Sequence, residues 1–247
     1  AWVAGVSTGT LRDLALAPDG TRLLAAGDDE SVNLTRIRLT PDGGDIAESE
    51  ESLRTGHVRD RYPAVSPSGE QIAVSTNRIG DNGLWIVAPA SGRWTRVEMP
   101  QVPEERVVVA CWAPNGRELG VKRFLRNGTA TLWRVAVDGS AAEPLVQPAP
   151  TIASFGCAFS PDGRQLLYNR IVEGFSQLFV HDLTTHSDRT LTHSKSHKYD
   201  GTWSPDGRWI AFSANTGGTL HVWRIPATGG VEEQLTRGAE RYVHMFY

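Results

Sequence analysis

An all-β propeller of four-stranded antiparallel blades is the fold this sequence predicts, and three observations predict it. A proline-centred tetrapeptide returns five times, as Ala17-Pro18-Asp19-Gly20, Ser66-Pro67-Ser68-Gly69, Ala113-Pro114-Asn115-Gly116, Ser160-Pro161-Asp162-Gly163 and Ser204-Pro205-Asp206-Gly207. Its prolines stand 49, 47, 47 and 44 residues apart, a period that belongs to stacked all-β units. The residues after each turn then repeat one layout of short apolar runs and Gly- or Asn-bearing turns.

The turn chemistry explains itself. Proline sets φ at one corner, Asp, Asn or Ser bonds back to the local backbone, and Gly takes the positive φ that other residues resist. In the first unit, Leu11 to Ala17 reads as a strand entering the first turn. Ile72-Ala73-Val74 and Leu84-Trp85-Ile86-Val87 are the second and third strands of the next unit, and Leu132-Trp133-Arg134-Val135 is the third strand of the one after it. Leu166-Leu167-Tyr168 and Gln177-Leu178-Phe179-Val180 fill the same places in the fourth unit. The fifth is the clearest: Tyr199 to Trp203, Arg208 to Ser213, Leu220 to Ile225 and Val231 to Thr236 are four strands separated by turns. One domain over 1–247 is expected, with repeat units near 11–59, 60–106, 107–153, 154–197 and 198–237. Gly238 to Tyr247 reads as the innermost strand of a partial sixth blade, so the expected ring has five full blades plus this part of a sixth, an incomplete six-bladed type. A sixth turn would begin just past Tyr247, so the chain is expected to be a piece of a longer one.

The Ser-Pro-Asp-Gly-Arg turn, the strand Ile210-Ala211-Phe212-Ser213 after it, and the later Gly229-Gly230 and Leu235-Thr236 resemble the TolB-type, WD-repeat-like β-propeller repeat of bacterial proteins. This resemblance covers nearly the whole chain. The same blade occurs in TolB, in peptidases of the prolyl oligopeptidase class, in oligogalacturonate lyases and in sensor regions of bacterial kinases and regulators. It therefore implies the fold and leaves the function to the site. By resemblance the compartment would be periplasmic or otherwise extracytoplasmic; no signal peptide or membrane-crossing run is present in the sequence.

Composition narrows the partners. With 40% hydrophobic residues over 247 the chain can bury a large core. A net charge of −3 and no basic stripe give no electrostatic reason for a nucleic-acid partner. Eight tryptophans are many; Trp85, Trp133 and Trp223 recur in third strands and Trp112 and Trp203 precede turns, so packing between blades is their expected role. The two cysteines, Cys111 and Cys157, lie on consecutive innermost strands. Sheets packed about 10 Å apart seldom allow a disulfide, so two buried free thiols are expected.

No catalytic set is complete. Gly5-Val6-Ser7-Thr8-Gly9 fits the nucleophile-elbow pattern, but a strand follows where a helix should, and no parallel sheet is there to hold the Asp and His. His186, His193 and His197 fall near Asp188 and Asp200, with a His-x-x-x-His spacing that carries metal-ligand geometry only on a helix; exposed loop histidines are expected, and no metal or other cofactor. Asp28-Asp29-Glu30 and Asp42-Gly43-Gly44-Asp45 are read as turns.

One constellation is positional. Aligned on their turns, the units place Asp13, Tyr62, Val109, Gly156, Asp200 and His244 at one repeat position, with Arg12, Arg61 and Tyr199 one residue earlier and Asp60 one before Arg61. Innermost strands converge on the axis of a propeller, so Arg12, Asp13, Asp60, Arg61, Tyr62, Tyr199, Asp200 and His244 are expected to line one mouth of the channel. Arginine can fork onto a carboxylate and tyrosine can stack on a ring. The expected function is that of a non-catalytic propeller binding a protein or a small-molecule ligand there. The alternatives are the substrate-gating propeller of a prolyl-oligopeptidase-class serine peptidase and a metal-dependent lyase-like propeller acting on polysaccharide.

Overall fold

Each of the four described proline-centred turns closes the hairpin between the first and second strands of a sheet. In the fifth copy the Ser204 hydroxyl donates to Asp206 Oδ1 at 2.6 Å and accepts the Trp209 amide at 2.9 Å, while Asp206 Oδ1 accepts the Arg208 amide at 3.0 Å. Gly207, at φ 70°, completes the turn with its amide on the Ser204 carbonyl. The fourth copy repeats this network through Ser160 and Asp162. In the third, alanine replaces the serine, and Asn115 accepts the Arg117 amide and donates to Glu118.

The structure is a computed structural model that describes residues 10–16, 22–28, 34–38, 51–52, 60–77, 83–100, 106–125, 129–149 and 152–237. Within them lie five four-stranded sheets, all of them antiparallel and each in simple chain order. The first is β1 (Thr10–Leu16), β2 (Arg22–Asp28), β3 (Leu34–Arg38) and β4 (Glu51–Ser52), described by its backbone. The second is β5 (Asp60–Val65), β6 (Ile72–Thr76), β7 (Gly83–Ala88) and β8 (Arg93–Arg96). The third is β9 (Arg106–Trp112), β10 (Glu118–Phe124), β11 (Ala130–Ala136) and β12 (Ala142–Ala149). β13 (Ile152–Phe159), β14 (Gln165–Val172), β15 (Phe175–Asp182) and β16 (Ser187–Thr190) form the fourth. The fifth is β17 (Lys198–Trp203), β18 (Trp209–Thr216), β19 (Thr219–Pro226) and β20 (Glu233–Gln234). The expected partial sixth blade over 238–247 lies outside the described residues, as do the first tetrapeptide and Ala1 to Val6.

First strands of successive sheets lie against one another: β1 on β5, β5 on β9, β9 on β13 and β13 on β17. The fourth strands make no comparable approach to one another among the described residues. Sheets that converge at their first strands and diverge at their fourth are propeller blades around a common axis.

Both faces of a blade must then be apolar, because each packs on a neighbour. Ala73, Leu84 and Ile86 of the second blade meet Trp112, Leu119, Val121 and Val135 of the third, while Ile72, Val74 and Val87 bury the second blade's other face. Leu132 and Val146 of the third blade pack with Phe159, Leu166, Tyr168 and Phe179 of the fourth. Leu167, Leu178 and Val180 then meet Ile210, Phe212 and Ile225 of the fifth. The continuous burial of β6, rather than an alternating pattern, follows from this two-sided packing.

Tryptophans pin the inner strands together. Trp112 is buried and its indole donates to the Ala64 carbonyl of the preceding blade at 2.8 Å. Trp203, at the equivalent position, donates to the Ala158 carbonyl at 3.0 Å. It is only partly buried, less than the sequence led us to expect. Trp133 and Trp223 pack against interblade clusters as expected of third-strand aromatics, and Trp85 packs on the second blade's own buried face.

Candidate functional site

A break in the hydrogen-bond ladder recurs in the first strand of every sheet. The pairing register shifts between Leu11 and Asp13 in β1, between Arg61 and Ala64 in β5, between Ile152 and Cys157 in β13 and between Tyr199 and Thr202 in β17; in the third sheet it shifts opposite Gly120 and Val121. Bulges of this kind twist a strand and re-aim the side chains it carries. At three of them the repeat position picked out from sequence adopts left-handed backbone: Tyr62 at φ 54°, Gly156 at φ 57° and Asp200 at φ 40°. Glycine and aspartate suit that region, whereas tyrosine followed by Pro63 is strained there. Non-glycine residues held in this way concentrate at functional sites.

The expected mouth residues divide by depth. Arg61, Tyr62 and Tyr199 are partly exposed on first strands that face the axis. Asp200 is nearly buried, and its Oδ1 would lie 3.5 Å from a β-carbon placed on exposed Gly156 of the neighbouring blade. Its carboxylate thus sits beside a position that presents only backbone. Asp60 is fully buried, so it does not meet solvent at the rim as the sequence led us to expect. Arg12 lies within the register shift of β1 and Asp13 at its end, and His244 lies outside the described residues. The β5 set and the β17 set occupy the same repeat position in the second and fifth blades, with β9 and β13 between them.

A neighbouring feature carried a weaker signal in the sequence. Lys198 opens β17 and is fully buried, yet its ammonium is well supplied with acceptors. Nζ donates to the Ser194 carbonyl at 3.0 Å and hydroxyl at 2.7 Å, and lies 2.9 Å from both the carbonyl and the hydroxyl of Ser196. Burial pulls the Lys198 pKa below the usual lysine value, and the Glu232 carboxylate 3.8 Å away acts in the opposite direction. The cradle fixes the loop that delivers Tyr199 and Asp200. His197 adds to it, stacking on Tyr199 with ring centroids 6.2 Å apart and packing on Phe175 from the other side. The Ser194-x-Ser196-x-Lys198 spacing was the available clue.

The histidines do not converge. Asp188 pairs with His181 at 2.8 Å, His186 and His193 are exposed, and His197 is taken up by its ring contacts. Among the described residues no group of three or more His, Cys, Asp or Glu side chains is arranged to hold a metal ion. A cavity of about 470 Å³ lies beside the lysine cradle, lined in part by Leu191, His193, Lys195, Trp223 and Glu232. No helix in the described residues is long and apolar enough to cross a membrane.

Comparison with known proteins agrees with this architecture. Residues 146–246 match the family described as TolB beta propeller domain. An uncharacterized protein of Agrobacterium fabrum is 24% identical over 85% of this chain and 72% of its own length. The uncharacterized peptidase YuxL of Bacillus subtilis is 27% identical over 83% of this chain, which spans only 30% of that protein. Among solved structures, the putative TolB from Agrobacterium tumefaciens superposes with a TM-score of 0.74 at 20% identity, covering 92% of this chain and 80% of that one. A puromycin-hydrolyzing peptidase of Mycobacterium tuberculosis superposes with a TM-score of 0.67 at 20% identity, over 92% of this chain and 37% of the peptidase.

Proposed function

We propose that this β-propeller, whose residues 146–246 match the TolB beta propeller domain, is a non-catalytic binding module whose ligand docks at the channel mouth formed by the bulged first strands. The observation that carries this reading is the left-handed bulge repeated at Tyr62, Gly156 and Asp200, strained at Tyr62, at one repeat position of the ring. Arg61 supplies a planar cation, Tyr62 and Tyr199 supply rings, and Asp200 supplies an anion. A peptide bearing a free carboxyl terminus fits that set, the carboxylate on Arg61 and the terminal side chains on the tyrosines. On the same reading the ring is of the six-bladed type.

Binding to an immobilised peptide library with free carboxyl termini tests this. Arg61→Ala together with Asp200→Ala is expected to leave the fold intact and to lower binding at least tenfold, whereas Arg93→Ala on exposed β8 should leave it unchanged. Normal binding by the double variant and loss through Arg93 would place the interaction on the outer edge.

A second reading is favoured by the likeness to YuxL and to the puromycin-hydrolyzing peptidase. In it the propeller filters substrates for a hydrolase domain elsewhere in a longer chain, and the mouth contacts the passing peptide. Peptidase activity of the parent chain that disappears with a hydrolase-domain serine, but persists without Arg61 and Asp200, would favour gating over binding.

A further inference from the structure

Cys111 and Cys157 sit on β9 and β13, first strands of neighbouring blades that lie directly against each other. Between them stands Gly120 of β10, paired in register with Cys111. A β-carbon placed on Gly120 would lie 2.8 Å from the sulfur of Cys111 and 2.8 Å from that of Cys157. The two sulfurs are therefore no farther apart than twice that distance. Spacing of about 10 Å between packed sheets led us to expect two buried free thiols; both are free, but Cys111 is only partly buried. The blades instead converge toward the axis, and glycine removes the side chain that would divide the pair.

Access is unequal. Cys157 is buried, with the Phe159 ring on the same pocket, whereas Cys111 is partly exposed. Burial first, and then the neighbouring thiol, pushes the Cys157 pKa well up, while the Lys122 charge draws it slightly down. A reagent therefore meets Cys111 first and Cys157 second, the order of an attacking and a resolving thiol.

We propose that Cys111 and Cys157 form an oxidisable site that takes a small disulfide, such as oxidised glutathione, and closes into a disulfide between the third and fourth blades. The Cys111 thiolate attacks one sulfur of the oxidant, forming a mixed disulfide and releasing one glutathione thiolate, which takes up a proton. Cys157 gives up its proton and attacks the Cys111 sulfur, and the second glutathione leaves. Two protein thiols are oxidised, one disulfide bond forms, and the oxidant is reduced to two thiols. The product ties β9 to β13 beside the channel and restrains a segment of chain that otherwise leaves one blade and enters the next.

Reduced protein incubated with oxidised glutathione, followed by intact-mass measurement, thiol titration and peptide mapping, tests the proposal. Loss of both titratable thiols, a mass lower by two hydrogens, a Cys111–Cys157 cross-linked peptide and reversal by dithiothreitol are expected. Cys157→Ser should stop as a glutathione adduct on Cys111. Gly120→Ala, with both cysteines kept, should also stall at the adduct, because the added methyl occupies the space between the sulfurs. Where Gly120→Ala does not fold, Cys157→Ser and the wild type carry the test. Wild-type protein that stalls at the adduct, forms only intermolecular dimers or keeps both thiols would overturn it.

Discussion

In the second blade the first strand opens on Asp60, and in the fifth it opens on Lys198; both side chains are wholly buried. Two residues on, each strand turns left-handed, at Tyr62 and at Asp200. The backbone device is the same and the chemistry is inverted: a buried acid two residues before a partly exposed tyrosine in one blade, a buried base two residues before a buried aspartate in the other. The repeat thus copies geometry without copying charge. A ring made this way can present a different group from each blade at one radius, which is what a multi-point binding site needs and what an exact repeat could not provide.

Removing what holds the two strands should give the largest effects. Trp112→Ala withdraws the buried indole that clamps β5 through the Ala64 carbonyl, and a loss of about 3–5 kcal/mol is expected by urea denaturation. Trp203→Ala, at the less buried equivalent in β17, should cost less; an equal loss would mean that the interblade bond rather than burial sets the energy.

Next is the buried base. Lys198→Met leaves the carbonyls and hydroxyls of Ser194 and Ser196 without their cation, so a cost of about 3 kcal/mol is expected. Faster amide exchange along 194–200 should accompany it, with the second blade unaffected. Uniform exchange changes across both blades would show that the cradle is not local to β17.

Backbone strain comes third. Tyr62→Gly should gain up to about 1 kcal/mol, since a left-handed conformation costs a side-chain-bearing residue roughly 1–2 kcal/mol and glycine repays part of that in the unfolded chain. Asp200→Gly should not gain, because aspartate already tolerates the region and its buried carboxylate is lost. Thermal unfolding of the two variants side by side measures the contrast.

The smallest effect separates the two turns. In the second blade Ser66 meets Ser68 at 3.2 Å, and in the fifth Ser204 donates to Asp206 at 2.6 Å. The Ser204 hydroxyl, with the Arg208 amide and guanidinium, lowers the Asp206 pKa to about 2. Because the folded value lies below the unfolded one, its stabilisation is complete above about pH 4 and is lost as pH falls through about 2. Stability of the wild type relative to Asp206→Ser should therefore narrow over that window. A difference that stays constant with pH would mean the carboxylate charge is not what the turn uses.

Much of this molecule was legible before any coordinates. Pro-Asp-Gly corners have one low-energy conformation, set by atoms within five residues, so Ser160-Pro161-Asp162-Gly163 and Ser204-Pro205-Asp206-Gly207 announced their hairpins and, through their spacing, the blades. The alignment also brought Tyr62, Gly156 and Asp200 to one position, because a bulge at a constant offset from a constant turn is a local property. Depth was not legible. Whether Asp60 reaches solvent, whether Lys198 is sealed under Ser194 and Ser196, and whether Cys111 meets Cys157 all depend on how neighbouring blades approach, and residues 46 apart in sequence meet only after the sheets have packed. Gly120 shows the reason most plainly. Its missing side chain reads as ordinary in a strand, and only the convergence of β9, β10 and β13 turns that absence into a meeting place for two sulfurs.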